Sequence, residues 1–100
     1  SEPEIDEYRG LLQSLIRIMR EFSGYESDTG QALFRCGLMI IAGFDSDEIH
    51  MSHAGKLVDQ RFKKKLAQIT EIRDELNLMI GKSKEKNVDP ERMSKLNPKH

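Results

Sequence analysis

The chain of 100 residues contains no tryptophan, a single cysteine and only three prolines, and aromatic residues make up 6% of it. Large enclosed ligand pockets are usually lined by aromatic and apolar side chains, so this shortage argues against an enzyme and against a bound cofactor. One cysteine excludes a disulfide within the chain, and Cys36 lies in the most apolar segment. We therefore expect a buried, unreactive thiol in a reducing compartment.

Long apolar runs and catalytic motifs are also missing. No stretch reaches the roughly 18–20 apolar residues that span a bilayer, and no charged start followed by an apolar core marks a signal peptide. We expect a cytoplasmic protein, or a nuclear one in a eukaryote, that does not bind a membrane. The formal net charge of −1 is unlike the strongly basic balance that favours general nucleic-acid binding. No P-loop, G-x-G-x-x-G or G-x-S-x-G motif occurs, so we predict that the chain is not an enzyme.

The sequence does contain three segments of helical periodicity. In residues 5–22 apolar side chains recur at i, i+3, i+4 and i+7, which predicts an amphipathic first helix that Gly24 ends. Residues 29–42 are apolar nearly all round. They predict a central core helix that Gly43 ends, with a strand over residues 38–41 as the local alternative.

Local capping signals indicate where further helices begin. Ser27 or Asp28 can cap the second helix, because its side-chain oxygen can accept a bond from an amide of the first turn. Asp45, followed three residues later by Glu48, resembles a capping box that starts another helical segment. Gly55 interrupts that segment, so we predict a short helix or turn before a long helix.

The long third helix, over residues 54–80 and ended by Gly81, carries an apolar stripe that must be covered. Its side chains fit a heptad pattern that Lys65 interrupts, and the stripe is wider than the seam of a two-stranded coiled coil. The stripe therefore packs either inside the chain or against a second chain. The residues assigned to the partner or dimer interface are Phe62, Leu66, Ile69, Ile72, Leu76 and Met79.

Together these segments predict an all-α fold. We expect a three-helix hairpin or bundle with a long C-terminal amphipathic helix, which forms a helical dimer through the stripe and the second helix. Residues 1–82 would form one domain and residues 83–100 a flexible basic tail. Residues 1–30 carry seven acidic side chains against three arginines, whereas residues 56–73 carry six basic against two acidic ones. The acidic first helix is expected to dock near the basic third one.

One basic cluster offers a second function. On a helix Arg61, Lys64 and Lys65 share a face that can contact phosphates. The alternative is a solvated face that meets the acidic side chains of the first helix. The residues assigned to a nucleic-acid interface are Arg61, Lys63, Lys64 and Lys65.

Residues 45–53 hold five potential metal ligands, three acidic and two histidine. His50 and His53, three residues apart on a helix, could share one ion. The spacing matches no established zinc pattern, and helix capping by the acidic residues, with exposed histidines, also explains the segment. We therefore predict no metal site. The histidines could instead make an interface sensitive to pH.

Residues 43–49, with the sequence Gly-Phe-Asp-Ser-Asp-Glu-Ile, resemble a segment of MerR-type regulators when taken with the long helix that follows. In that family the segment leads from the DNA-binding domain into the dimerisation helix. The resemblance implies a dimer built on the long helix. The residues before it show no winged-helix pattern with a recognition helix, so the resemblance extends to dimerisation alone.

These observations favour a non-catalytic role. We predict a small regulatory or adaptor protein, a homodimer, that binds a protein partner through a helical surface. Four methionines, at positions 19, 39, 51 and 79, suit an adaptable contact surface, although methionine also fills cores. The alternative is a dimeric nucleic-acid-associated regulator, such as a transcription regulator, that uses the basic cluster and the tail.

Overall fold

The computed structural model describes residues 2–87 of the chain. Five α-helices follow one another, with a short 3-10 helix, Gln60–Phe62, before the last: α1 (Glu2–Ser23), α2 (Asp28–Ile41), α3 (Ser46–Met51), α4 (His53–Leu57) and α5 (Lys63–Asn87). Residues 2–87 contain no strand, so the predicted all-α class is confirmed and the strand alternative at 38–41 is wrong. Residues 88–100, most of the predicted tail, lie outside the described residues.

The two longest helices, α1 and α5, pack against each other. They run antiparallel, because Glu21 near the end of α1 forms an ion pair with Lys65 near the start of α5. The pair also explains why a lysine interrupts the heptad pattern of α5. The expected docking of the acidic first helix on the basic long helix is therefore present at this end of the molecule.

The apolar helix α2 is central, since it contacts α1, α3, α4 and α5. Leu33 and Cys36 are fully buried within it. Gly37 allows α1 to come close, because a Cβ atom there would lie 2.6 Å from the sulfur of Met19 and 3.5 Å from Ile69 on α5. Since the end of α2 meets α5 further along, near Arg73, α2 runs parallel to α5 and antiparallel to α1.

The predicted ends of α2 are confirmed. At its start the Ser27 hydroxyl accepts a hydrogen bond from the amide of Gly30 (3.1 Å). At its end Gly43 adopts a φ of +102°, the left-handed region that glycine enters without steric cost. The Gly43 amide donates to the carbonyl of Ile40 and the next amide donates to Met39, which is the Schellman arrangement.

The predicted long helix over residues 54–80 begins later than expected. Ser52 has an extended backbone and caps α4 by accepting a bond from the Gly55 amide (3.0 Å), so Gly55 lies inside a helix and does not interrupt one. Val58 is again extended, and Asp59 caps the 3-10 helix. These local caps compete with the apolar period and divide the segment into α4, the 3-10 helix and α5.

The end of α5 also differs from the prediction. Gly81 lies inside the helix, which continues to Asn87 and takes in residues 83–87 of the predicted tail. A glycine within a helix costs only about 1 kcal/mol relative to alanine. Residues 82–86 are lysine, serine and glutamate, which contain no helix-breaking proline, so the helix continues past it.

Candidate interaction surface

The apolar stripe of α5 is used inside the chain. Ile69, Ile72 and Leu76 are buried in the core that α5 shares with α1 and α2. Their burial is the outcome expected if the stripe packs inside the chain. The other predicted interface residues stay partly exposed at the edge of this core: Phe62, Leu66 and Met79. A partner or a second copy therefore needs further side chains for its surface.

The helices α1 and α5 extend beyond α2 as a two-helix arm. The end of α2 lies beside Arg73, whose Nη1 donates hydrogen bonds to the carbonyls of Ile40 (3.1 Å) and Phe44 (2.9 Å). From there α5 continues through the fourteen residues 74–87, a length of about 21 Å at 1.5 Å per residue. Counted back from the ion pair at the other end, residues 2–12 of α1 run beside residues 74–84 of α5.

One side of this arm lies beyond the end of α2 and in line with it, and no helix of residues 2–87 covers that side. On α5, Ile80 follows Arg73 by seven residues, or two helical turns, so it faces the side on which α2 lies. Ile80 is 39% exposed, although Leu76 one turn earlier is buried. Ile80 lies beyond the end of α2, so α2 does not cover it. Phe44, which follows the end of α2, is also 44% exposed.

The α1 side of the arm has the same feature. Met19 packs on Gly37 of α2, which identifies the side of α1 that faces α2. Tyr8 precedes Met19 by eleven residues, or three turns, and so lies on that side beyond the end of α2, where it is 36% exposed. We call the resulting surface the open trough: Tyr8, Leu76 and Ile80, with Phe44 at its closed end.

The predicted basic cluster is divided by its neighbours. Arg61 contacts Asp59 (3.4 Å) and lies over the ring of Phe62, 4.8 Å from its centroid. Lys63 is half-buried, whereas Lys64 is exposed. The cluster therefore does not present a continuous row of cations, although its members do lie close together along the chain.

The fourth member of the cluster, Lys65, is held by Glu21. The hydrogen bond from Lys65 lowers the pKa of the Glu21 carboxyl, and the same bond raises the pKa of Lys65. Both side chains are partly exposed to solvent. The pair therefore fixes how α1 meets α5 more than it adds to stability, since exposed ion pairs contribute about 0–1 kcal/mol.

Cys36 is fully buried, and this desolvation raises the pKa of its thiol. Only the thiolate is a good nucleophile, so the environment keeps the group in its unreactive form. The predicted burial of Cys36 is confirmed.

A cleft of about 300 Å³ opens beside α3 and α4, with Asp47, His50 and Lys63 among its lining residues. Within residues 2–87 no group of three or more His, Cys, Asp or Glu side chains is placed to hold a metal ion. The predicted sharing of one helix by the two histidines is wrong, since His50 lies on α3 and His53 begins α4 after the break at Ser52. The cleft contains no buried polar side-chain atom that lacks a partner and could select a ligand.

The sequence patterns predicted neither the open trough nor the role of Arg73. Tyr8 and Ile80 follow the apolar rhythm of their helices, and nothing in that rhythm shows which side chains stay uncovered. A signal was present in the lengths of the segments, since residues 29–42 are fewer than residues 5–22 or 54–80. A short central helix cannot cover two longer ones.

Comparisons with known proteins assign no family to this chain. No protein-family model matches it, and no curated protein and no solved structure is significantly similar to it. The segment that resembles MerR-type regulators, residues 43–49, ends within α3, and α4 and the 3-10 helix separate it from the long helix α5. In the described residues no helix is both long and apolar enough to cross a membrane.

Proposed function

We propose that this protein is a non-catalytic adaptor or small regulatory protein whose arm binds an amphipathic helix of a protein partner. The observation that carries the proposal is the open trough, where Tyr8, Ile80 and Phe44 leave apolar surface uncovered on the side that α2 covers elsewhere. Apolar side chains left exposed close together on one side of a protein mark interaction sites in soluble proteins. A partner helix laid there would extend the line of α2 and complete a three-helix layer.

The length of the arm suggests what the partner offers. The part of the arm where both helices are present has room for a partner helix of about three turns, since eleven residues of α5 are about 16 Å long and one turn rises 5.4 Å. The partner helix should carry apolar residues at i, i+3 or i+4, and i+7, the spacing that one helix face presents.

The proposal includes a reducing compartment such as the cytoplasm, which suits an unpaired cysteine. It includes no catalytic step, because the side chain best suited to nucleophilic chemistry, Cys36, is buried with a raised thiol pKa. A symmetric dimer is also part of it. That dimer needs a surface other than the covered stripe of α5.

The test compares two apolar residues of α5 that lie on opposite sides of the helix. Ile80 faces the open trough, whereas Leu78 is 54% exposed on the far side. Proteins that bind the tagged wild-type chain in cells are identified by mass spectrometry, and the affinity of each purified candidate is then measured. Because a buried isoleucine contributes about 1.5–3 kcal/mol, we expect Ile80→Asp to weaken binding at least about tenfold. Leu78→Asp should leave it unchanged, and equal effects of the two substitutions would refute the trough as the binding site.

Nucleic-acid binding remains the alternative function. It is tested by the fluorescence anisotropy of a labelled random-sequence duplex at low and at physiological salt. The adaptor proposal expects no binding at physiological salt. Tight binding that weakens steeply with salt and is lost in a folded Lys63→Ala/Lys64→Ala variant would favour the alternative, because displaced counterions produce that salt dependence.

A further inference from the structure

A second apolar surface lies outside the open trough, on the outer side of α1 and α2. Ile16, Leu38 and Ile41 are 52%, 47% and 43% exposed. Met19 on α1 contacts Gly37 on α2. Ile16 precedes Met19 by three residues, and Ile41 follows Gly37 by four residues. Because the two helices are antiparallel, both side chains lie one turn away in the same direction and flank one groove. We call it the outer groove.

On the side of this groove α1 carries a strip of six residues at three- and four-residue spacing: Glu2, Ile5, Arg9, Leu12, Ile16 and Arg20. The two ends of the strip have opposite charge, with an acidic residue first and an arginine last. Within the described part of the chain neither Glu2 nor Arg20 forms an ion pair. The strip therefore offers apolar surface in its middle and an unlike charge at each end.

We propose that a second copy of this chain places its α1 in the outer groove in antiparallel orientation, so that the two strips face each other across a two-fold axis. In this register Glu2 of one copy faces Arg20 of the other, and Ile5 faces Ile16. The two-fold axis produces each of these pairs twice. The strip is thus complementary to itself, which is what a symmetric interface requires.

Charge selects the second copy and its orientation. Residues 2–7 of α1 contain four acidic side chains, and residues 9–20 contain three arginines and no acidic side chain. A parallel pair of α1 helices would bring the acidic ends together and repel, whereas the antiparallel pair brings each acidic end to an arginine-bearing end. The apolar residues that line the groove on α2, Leu38 and Ile41, are covered by the same arrangement.

The inference rests on the symmetric dimer of the proposed function and assigns its interface to a surface other than the open trough. Ile80 lies on α5, outside the interface between the α1 helices. A dimer of this form leaves the open trough of each copy available. Failure of the dimer and failure of partner binding at the trough are therefore separate outcomes.

The experiment measures the mass of the full chain by sedimentation equilibrium over concentrations from about 1 to about 200 μM, a range that spans micromolar dissociation constants. We expect a dimer whose dissociation constant rises at least about 100-fold in Ile16→Asp, because the substitution places a charge in the apolar middle of the strip. Leu78→Asp, a matched change of an exposed residue on α5, should leave the constant unchanged. Circular dichroism establishes that each variant is folded.

Charge reversal tests the orientation. Glu2→Arg or Arg20→Glu alone should weaken the dimer about five- to tenfold, because each puts like charges together at both ends of the interface. The double variant Glu2→Arg/Arg20→Glu restores opposite charges and should return the constant to within about twofold of wild type. A wild-type monomer at every concentration, equal effects of Ile16→Asp and Leu78→Asp, or a double variant no tighter than the single ones would each overturn the proposal.

Discussion

At the scale of single residues, Arg73 joins two parts of the fold that are far apart in the sequence. Its guanidinium, on α5, donates to the carbonyls of Ile40 and Phe44 at the end of α2. The last carbonyls of a helix have no partner within the helix, and a cation there also interacts favourably with the helix dipole. The residue therefore fixes where α2 ends against α5, and with it the closed end of the trough.

We expect Arg73→Met to lower the free energy of unfolding by about 2 kcal/mol, because it keeps the length of the side chain but removes two hydrogen bonds from a charged donor to carbonyls at the end of α2, together with the exposed contacts to Asp74. Urea unfolding measures the change. Lys64→Met, on the exposed side of the same helix, is the matched control and should change the free energy by less than about 0.5 kcal/mol. If the two variants lose the same stability, the guanidinium does not hold α2.

The ion pair of Glu21 with Lys65 gives stability a dependence on pH. The hydrogen bond from Lys65 lowers the pKa of Glu21 in the folded state. A carboxyl of this kind contributes stability above its unfolded pKa and loses that contribution as the pH falls through its folded pKa. Between about pH 6 and about pH 3, the wild type should therefore lose more stability than Glu21→Gln. Urea midpoints measured across this range would contradict the account if the two proteins lost stability in parallel.

At the scale of elements, the helices that end in their own caps could be predicted from the sequence. Ser27 and Gly43 bound α2 because each acts on amides or carbonyls within a few residues. The start of α5 could not be predicted from the apolar period, since Ser52 and Asp59 form competing caps that interrupt a stripe the period alone would continue. In both cases hydrogen bonds between residues that are close in the sequence determine where a helix begins or ends.

Two helix glycines should respond in opposite ways to alanine. Gly81 has nothing within 4 Å of the position of a Cβ atom, so Gly81→Ala should stabilise the protein by about 0.5–1 kcal/mol. At Gly55 a Cβ atom would lie 1.9 Å from the backbone carbonyl of Ile49, so Gly55→Ala should destabilise it by more than about 1 kcal/mol. Thermal unfolding of both variants measures the difference, and stabilisation by both would show that α3 and α4 are not in close contact.

At the scale of the whole molecule, the candidate surface depends on relative helix lengths. The sequence predicted a helical surface for a partner and placed it on the stripe of α5, half of which is buried. Which apolar side chains remain exposed depends on where α2 ends, and that follows from packing between segments distant in sequence. The segment lengths indicate that α2 leaves part of the longer helices uncovered, but the residues that stay exposed there, Tyr8 and Ile80 in the trough and Ile16 and Leu38 in the outer groove, could be identified only from the assembled helices.

The two surfaces should act independently, because their distinguishing residues lie on different helices. We expect Ile16→Asp to abolish the dimer while each chain keeps its affinity for an isolated partner helix. We expect Ile80→Asp to weaken binding of the partner helix while the dimer keeps its dissociation constant. Sedimentation and titration of both variants and of the double variant measure the two effects. A partner that carries two such helices should bind the dimer more tightly than the monomer, through the effective concentration of the second site. Loss of both activities in either single variant would show that the surfaces are one site.

The central claim is that a partner helix occupies the open trough. It is tested most directly by photo-crosslinking in living cells with benzophenone-bearing residues placed at position 80 and, as the control, at position 78 of the same helix. We predict a specific protein crosslinked from position 80, through a peptide with apolar residues at helical spacing, and none from position 78. Equal crosslinking from both positions, or a crosslink from position 78 alone, would contradict the account.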